Sequence, residues 1–174
     1  MWVLLLIPTW PLVRGVPWSE FRHSVGLTAG HGVPMEVAIG LLAFLAWMPI
    51  TIGISQAIEA LTRFFGSASV EGSPGGYPMF EAPPSDSALL VFLSFVGSVV
   101  WAPLVEETIF RGFLYGWLRE RLGFVITVIV TSIVFGIVHP YSPLGMIQVA
   151  GAGVMFAILR EWRGSLIAPM VAHA

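Results

Sequence analysis

SALLVFLSFVGSVVWAPLVEETIFRGFLYGWL, residues 87–118, is the stretch on which the fold turns. Its first 19 residues, 87–105, carry no charge. At about 1.5 Å of rise per residue they make a helix close to the roughly 30 Å of a bilayer core. Working outward, residues 37–58 form an uncharged run of 22, residues 122–138 one of 17, and residues 140–159 one of 20 softened by Pro140, Pro143 and Gln148. Residues 1–13 and 164–174 are shorter apolar pieces and read as partial spans, as if the chain were cut at each end. The first has neither a basic n-region nor a small-residue cleavage site, so it is not read as a signal peptide. Residues 66–86, with Gly72-Ser73-Pro74-Gly75-Gly76 and Pro83-Pro84-Ser85, must be a loop. Residues 14–34, with Gly26, Gly30 and Gly32, read as a second connection.

Composition agrees. Hydrophobic residues make up 56% of the 174 and charged residues 10%, where about 25% is usual in soluble domains. The charges are 8 Arg, 9 Glu and Asp86, with no Lys, too few to wet the surface of a globule this size. The expected fold is all-α, a polytopic transmembrane helical bundle whose solvent is the lipid bilayer. Disorder is excluded by the apolar content, and nucleic-acid binding by the net charge of -2 and the lack of a basic stripe. Without Cys there is no disulfide, thiolate metal site or cysteine nucleophile. Alternating the spans collects Arg14, Arg22, Arg119, Arg121, Arg160 and Arg163 on one side, which the positive-inside rule makes cytoplasmic. Arg63, Glu71, Glu81 and Asp86 fall on the other side.

Glu106, Glu107 and Arg111 stand inside the quoted stretch, where an ionised side chain costs at least about 2.5–3.5 kcal/mol. Glu107 and Arg111 are four apart, so they share a helix face and can pair. Glu106 lies about 100° round and is freer to hold a proton or a water. A buried ion pair at a helix interface would explain one carboxylate, but not the second. His139 closes the next apolar run, in Phe135-Gly136-Ile137-Val138-His139. Counted from Leu122, in the turn between the two helices, Glu106 lies 16 residues back and His139 lies 17 forward. Unbroken helices would put both roughly 24–26 Å from the turn, at matching depth. Pro103 or Gly112 could spoil that match. His173 lies partway into the last apolar piece, while His23 and His31 read as solvated.

Glu106, His139 and His173 are open to two chemistries. In one, Glu106 takes a proton from water and the imidazoles hold the water or the oxyanion. In the other, the same three residues ligate Zn2+ with an open position, although the His-Glu-x-x-His helix is missing. Competing intramembrane hydrolases fall by absence: the single Asp, Asp86, is in a loop, and no Gly-x-Ser-x-Gly elbow exists.

Glu106-Glu107-x-x-x-Arg111, then Phe135-x-x-x-His139, then His173 resembles the CPBP intramembrane proteases. These include the type II CAAX prenyl endopeptidases (Rce1-like) and the bacterial Abi and bacteriocin-immunity proteins. The resemblance divides the chain into N-terminal membrane segments and loops, 1–87, and a CPBP-like catalytic core, 88–174. It implies that Glu106 activates water with help from His139, that Glu107 and Arg111 order the site, and that His173 stabilises the oxyanion. An Asn four residues beyond His173 belongs to the same pattern and falls past the last residue given. Both glutamic and metal-dependent mechanisms have been described for this family.

The implied function is an intramembrane endopeptidase acting on a peptide or lipidated-protein substrate. An Arg-, Gly- and Pro-rich chain without Lys suits a GC-rich bacterium, and hence a bacterial inner membrane and a role in peptide maturation or bacteriocin immunity. A non-catalytic scaffold or immunity protein that binds a peptide toxin would use the same fold. A proton-linked transporter is a third reading, opposed by the missing inverted repeat. Smaller features are Gly112-x-x-x-Gly116, which predicts close helix contact, Gly151-Ala152-Gly153, which predicts tight packing, and Trp18, Trp117 and Trp162 as interfacial anchors.

Overall fold

A computed structural model describes residues 6–64 and 87–174. The loop expected at 66–86, with the charges at Glu71, Glu81 and Asp86, lies outside the described residues. The described residues form an all-α bundle: α1 (Leu6–Val13), α2 (Trp18–Val25), α3 (Val33–Phe64), α4 (Ala88–Arg119), α5 (Phe124–Ile137), α6 (Pro143–Arg163) and α7 (Ile167–His173). Three of these, within Val33–Ala57, Ala88–Arg119 and Pro143–Arg163, are long and apolar enough to cross a membrane. Large side chains such as Leu41, Leu45, Phe92, Ile126, Ile129 and Ile133 face outward. That pattern suits a lipid solvent, which satisfies no backbone group and rewards apolar surface.

The chain is thus an integral membrane protein built as a helical bundle, with two departures from the expected course. The connection at 14–34 contains a helix, α2, whose Phe21 and Val25 are buried one turn apart. Pro103 and Gly112 do not break α4, but the helix widens into π turns at Gly97–Trp101 and Thr108–Leu114. Pro103 follows the first π turn, where a missing N–H and ring bulk are easier to accept. Gly112 lies in the second.

Close contact is made by glycines. On α5, a Cβ at Gly136 would lie 2.5 Å from the Met146 carbonyl oxygen and 2.9 Å from Ala150 Cβ on α6. On α3, Gly40 meets the Ala168 carbonyl and Val171 of α7 just as closely. Gly112 lets α4 approach Val25 of α2, whereas Gly116 faces open space. Only the first glycine of the Gly112/Gly116 pair therefore serves helix contact. Gly164, at φ +65°, turns the chain from α6 into α7. The core gathers Phe135 of α5, Val149, Phe156 and Leu159 of α6, and Ala172 of α7.

Replacing Gly136 by Ala is expected to lower stability by about 1–3 kcal/mol, because the new methyl meets backbone that cannot yield. Gly53→Ala, at a helical position with nothing within 4 Å, is expected to be neutral or stabilising by about 0.5–1 kcal/mol. Unfolding midpoints of the two variants in one detergent would check the contrast.

Candidate active site

Four elements converge on one buried polar cluster. The α4 helix supplies Glu106, Glu107 and Arg111; His139 lies just beyond the Val138 C-cap of α5; α6 passes alongside; and α7 ends in His173. Arg111 and Glu107 are completely buried. Arg111 Nη1 donates to Glu107 Oε1 at 3.2 Å, and Nη2 donates to the Gly153 carbonyl of α6 at 3.0 Å. The guanidinium carbon lies 4.1 Å from the centre of the Phe135 ring and 5.1 Å from that of Phe156. In a desolvated setting such aromatic faces stabilise a cation by about 2 kcal/mol. Gly153 makes the approach feasible, since a Cβ there would stand 3.2 Å from both Arg111 Nη2 and Ser132 Cα.

The π turn that carries Arg111 also changes the hydrogen bonding of its own backbone. The Arg111 carbonyl accepts a bond from Arg160 Nε at 3.2 Å, so a side chain of α6 serves a carbonyl in the widened turn.

Glu107 holds a histidine as well. His173 Nδ1 donates to Glu107 Oε1 at 2.8 Å, and the imidazole stacks on Phe156 with centroids 5.0 Å apart. His139 is fixed in the same manner by different partners. Its Nδ1 donates to the Phe135 carbonyl at 2.6 Å, Phe135 meets the ring edge-on, and Tyr141 stacks on it at 5.6 Å. A carbonyl can only accept, so Nδ1 of His139 carries a hydrogen and Nε2 is the nitrogen left for chemistry.

Both free nitrogens turn to Glu106. His139 Nε2 is 3.4 Å from Glu106 Oε2, and His173 Nε2 is 3.9 Å from the same oxygen. That oxygen is buried and makes no hydrogen bond. The structure therefore brings all five residues singled out in the sequence into one cluster, split into two jobs. Glu107, through Oε1, and Arg111 bond to each other, to Gly153 and to His173, leaving Glu107 Oε2 and Arg111 Nε unbonded; Glu106 places its unbonded Oε2 between two imidazoles.

One carboxylate and two imidazoles are a suitable donor set for Zn2+. Their placement does not form a metal-holding group: among the described residues, no three His, Asp or Glu side chains are arranged to ligate an ion.

Tyr141 was absent from the sequence reading. It follows His139 by two residues in a Pro-flanked turn, with no periodicity to single it out. Its place is set locally: its N–H donates to the His139 carbonyl at 2.8 Å, and Gly145 clears the space beside its Cβ. His31, read as solvated, has an exposed side chain, but its backbone N–H donates to Glu36.

The family model described as Type II CAAX prenyl endopeptidase Rce1-like matches residues 88–174, which is half of the chain and holds the whole cluster. The chain belongs to the Rce1-like family. A relative named "Putative membrane peptidase YdiL", from Bacillus subtilis (strain 168), is 26% identical over 162 residues. The match covers 93% of this chain and 60% of that protein, so the chain spans about three-fifths of the relative's length. No solved structure matches.

Removing one partner of the buried pair should be costly. Arg111→Met leaves the Glu107 charge uncompensated and is expected to destabilise by about 3–5 kcal/mol. Adding Glu107→Gln removes that charge and should recover most of the loss. Denaturation midpoints of the parent, the single and the double variant would test this.

Proposed function

We propose that this Rce1-like chain is an intramembrane endopeptidase that hydrolyses a peptide bond of a membrane-associated peptide or lipidated protein. The observation that carries the reading is the buried, unbonded Oε2 of Glu106 facing two imidazole Nε2 atoms. In this reading Glu106, with His139 beside it, takes a proton from a water molecule as the water oxygen attacks the scissile carbonyl carbon. His173, held through Nδ1 by Glu107, carries a proton on Nε2 and donates it as a hydrogen bond to the oxyanion of the tetrahedral intermediate. When the carbon–nitrogen bond breaks, Glu106 passes its proton to the leaving amine. Arg111 touches no reacting atom and fixes Glu107, and through it His173. The Lys-free, Arg-rich composition supports a bacterial inner membrane as the setting, with peptide maturation or bacteriocin immunity as the role.

The test is expression of the protein and its Glu106→Gln variant in membranes, with released peptides compared by mass spectrometry. Peptides are expected only from the parent. Identical profiles from two folded, inserted proteins would overturn the proposal in favour of a binding scaffold. Treatment with 1,10-phenanthroline is expected to leave peptide release unchanged, whereas loss restored by added Zn2+ would establish metal dependence. A third comparison probes the ring that covers His139. Tyr141→Phe keeps the stacked ring and should keep turnover, while Tyr141→Ala frees the imidazole and should cost roughly tenfold or more in kcat.

A further inference from the structure

Glu36 and Arg163 stand on opposite sides of the boundary drawn by the family match: Arg163 falls within 88–174 and Glu36 does not. They are joined by an enclosed ion pair away from the catalytic cluster. The Glu36 carboxylate is completely buried and the Arg163 side chain 9% exposed. Arg163 Nη2 donates to Glu36 Oε1 at 2.8 Å and Nε donates to Oε2 at 3.1 Å, a two-pronged contact that fixes orientation as well as distance. The His31 N–H adds a third bond to the carboxylate at 3.0 Å. Gly30, at φ +55°, brings the chain against Glu36 so closely that a Cβ there would lie 2.5 Å from Oε1.

Two more bonds grip the same turn. Ser165 Oγ donates to the Thr28 carbonyl at 2.7 Å, and the Leu166 N–H donates to the Gly26 carbonyl at 2.8 Å. Residues 26–36 therefore hold residues 163–166, the turn that launches α7. The α7 helix packs on α3, where Gly40 receives Ala168 and Val171, and also on α6 and on the part of α4 that carries Glu107. Glu36 and Gly40 are one helical turn apart, so the ion pair and the close contact share one face of α3. At the far end of α7 is His173.

We propose that Glu36, acting through Arg163, is a positioning residue for His173, so that the segment preceding the family match sets the geometry of the site. This rests on the reading above, in which His173 faces the oxyanion. Neither Glu36 nor Arg163 touches the cluster around Glu106. They fix where α7 starts and which face it presents to α3, and the imidazole is carried at the end of that lever. Uncoupling the clasp lets α7 shift while α4, α5 and α6, bound through Gly136, Gly153 and Arg111, stay in place.

The experiment compares the full chain with Glu36→Gln and with the charge-free pair Glu36→Gln/Arg163→Gln, which leaves no unpaired buried ion if the single variant folds badly. Backbone hydrogen exchange is followed segment by segment, and kcat and KM are measured on a peptide released by the parent. Exchange in 167–173 is expected to rise roughly tenfold or more with α5 and α6 unchanged. The same variants should lose roughly tenfold or more in kcat at unaltered KM. Unchanged exchange in α7 would overturn the proposal, as would faster exchange with undiminished kcat. Faster exchange spread evenly over α5, α6 and α7 in the double variant would also overturn it, since that marks general destabilisation. A parent that releases no peptide would sink the protease reading instead, and α7 exchange alone would then decide the clasp.

Discussion

The arrangement of the bundle depends on one buried cation. Arg111 has no route to water, so its charge must be met by what surrounds it: the Glu107 carboxylate, the Gly153 carbonyl and the faces of Phe135 and Phe156. Those partners come from α4, α5 and α6, so satisfying one guanidinium fixes three helices relative to one another. A charge in a low-dielectric interior tolerates little displacement of its partners, because each lost contact is paid at nearly the full desolvation cost. Glu107 then carries the constraint one step further, to His173 on α7. The placement of His173 is thus inherited from an ion pair on another helix.

The two neighbouring glutamates show how helix phase separates two tasks that composition cannot. Glu107 points along the direction of Arg111 and is fully enclosed; Glu106, one residue earlier, points between the histidines and stays 14% exposed. A single residue of offset decides which neighbours each carboxylate meets: the guanidinium and His173 for Glu107, the two Nε2 atoms for Glu106. The aromatic residues do similar double duty. Phe135 supports the guanidinium with its face, meets His139 and His173 edge-on, and gives its carbonyl to His139.

Much of this was legible in the sequence because it follows from period and depth. Uncharged runs marked the long helices, the four-residue spacing announced the Glu107–Arg111 pair, and nearly equal residue counts from the turn near Leu122 set Glu106 and His139 at a common level. What escaped notice depends on partners far along the chain. Glu36 and Arg163 are 127 residues apart, and nothing in the sequence around either one names the other as its partner. The π turns change which carbonyls are satisfied, and Arg160 answers one of them only after α6 has packed. The α2 helix did carry a local signal, Phe21 and Val25 at helical spacing, but glycines and charges around it suggested a connection. Gly116 shows the opposite error, since small-residue spacing alone does not say that a neighbour is present.

The brevity of α5 bears on the bilayer itself. Its 14 residues rise about 21 Å, against a hydrocarbon core of about 30 Å. Beside its apolar outer face, lined by Ile126, Ile129 and Ile133, lipid has to thin or tilt to match so short a helix. The chain leaves α5 at the end that carries His139, so beside this helix the hydrocarbon that separates His139 from the headgroups is thinner than beside a full-length span. For the proposed hydrolysis, that shortens the path by which water would reach the histidine.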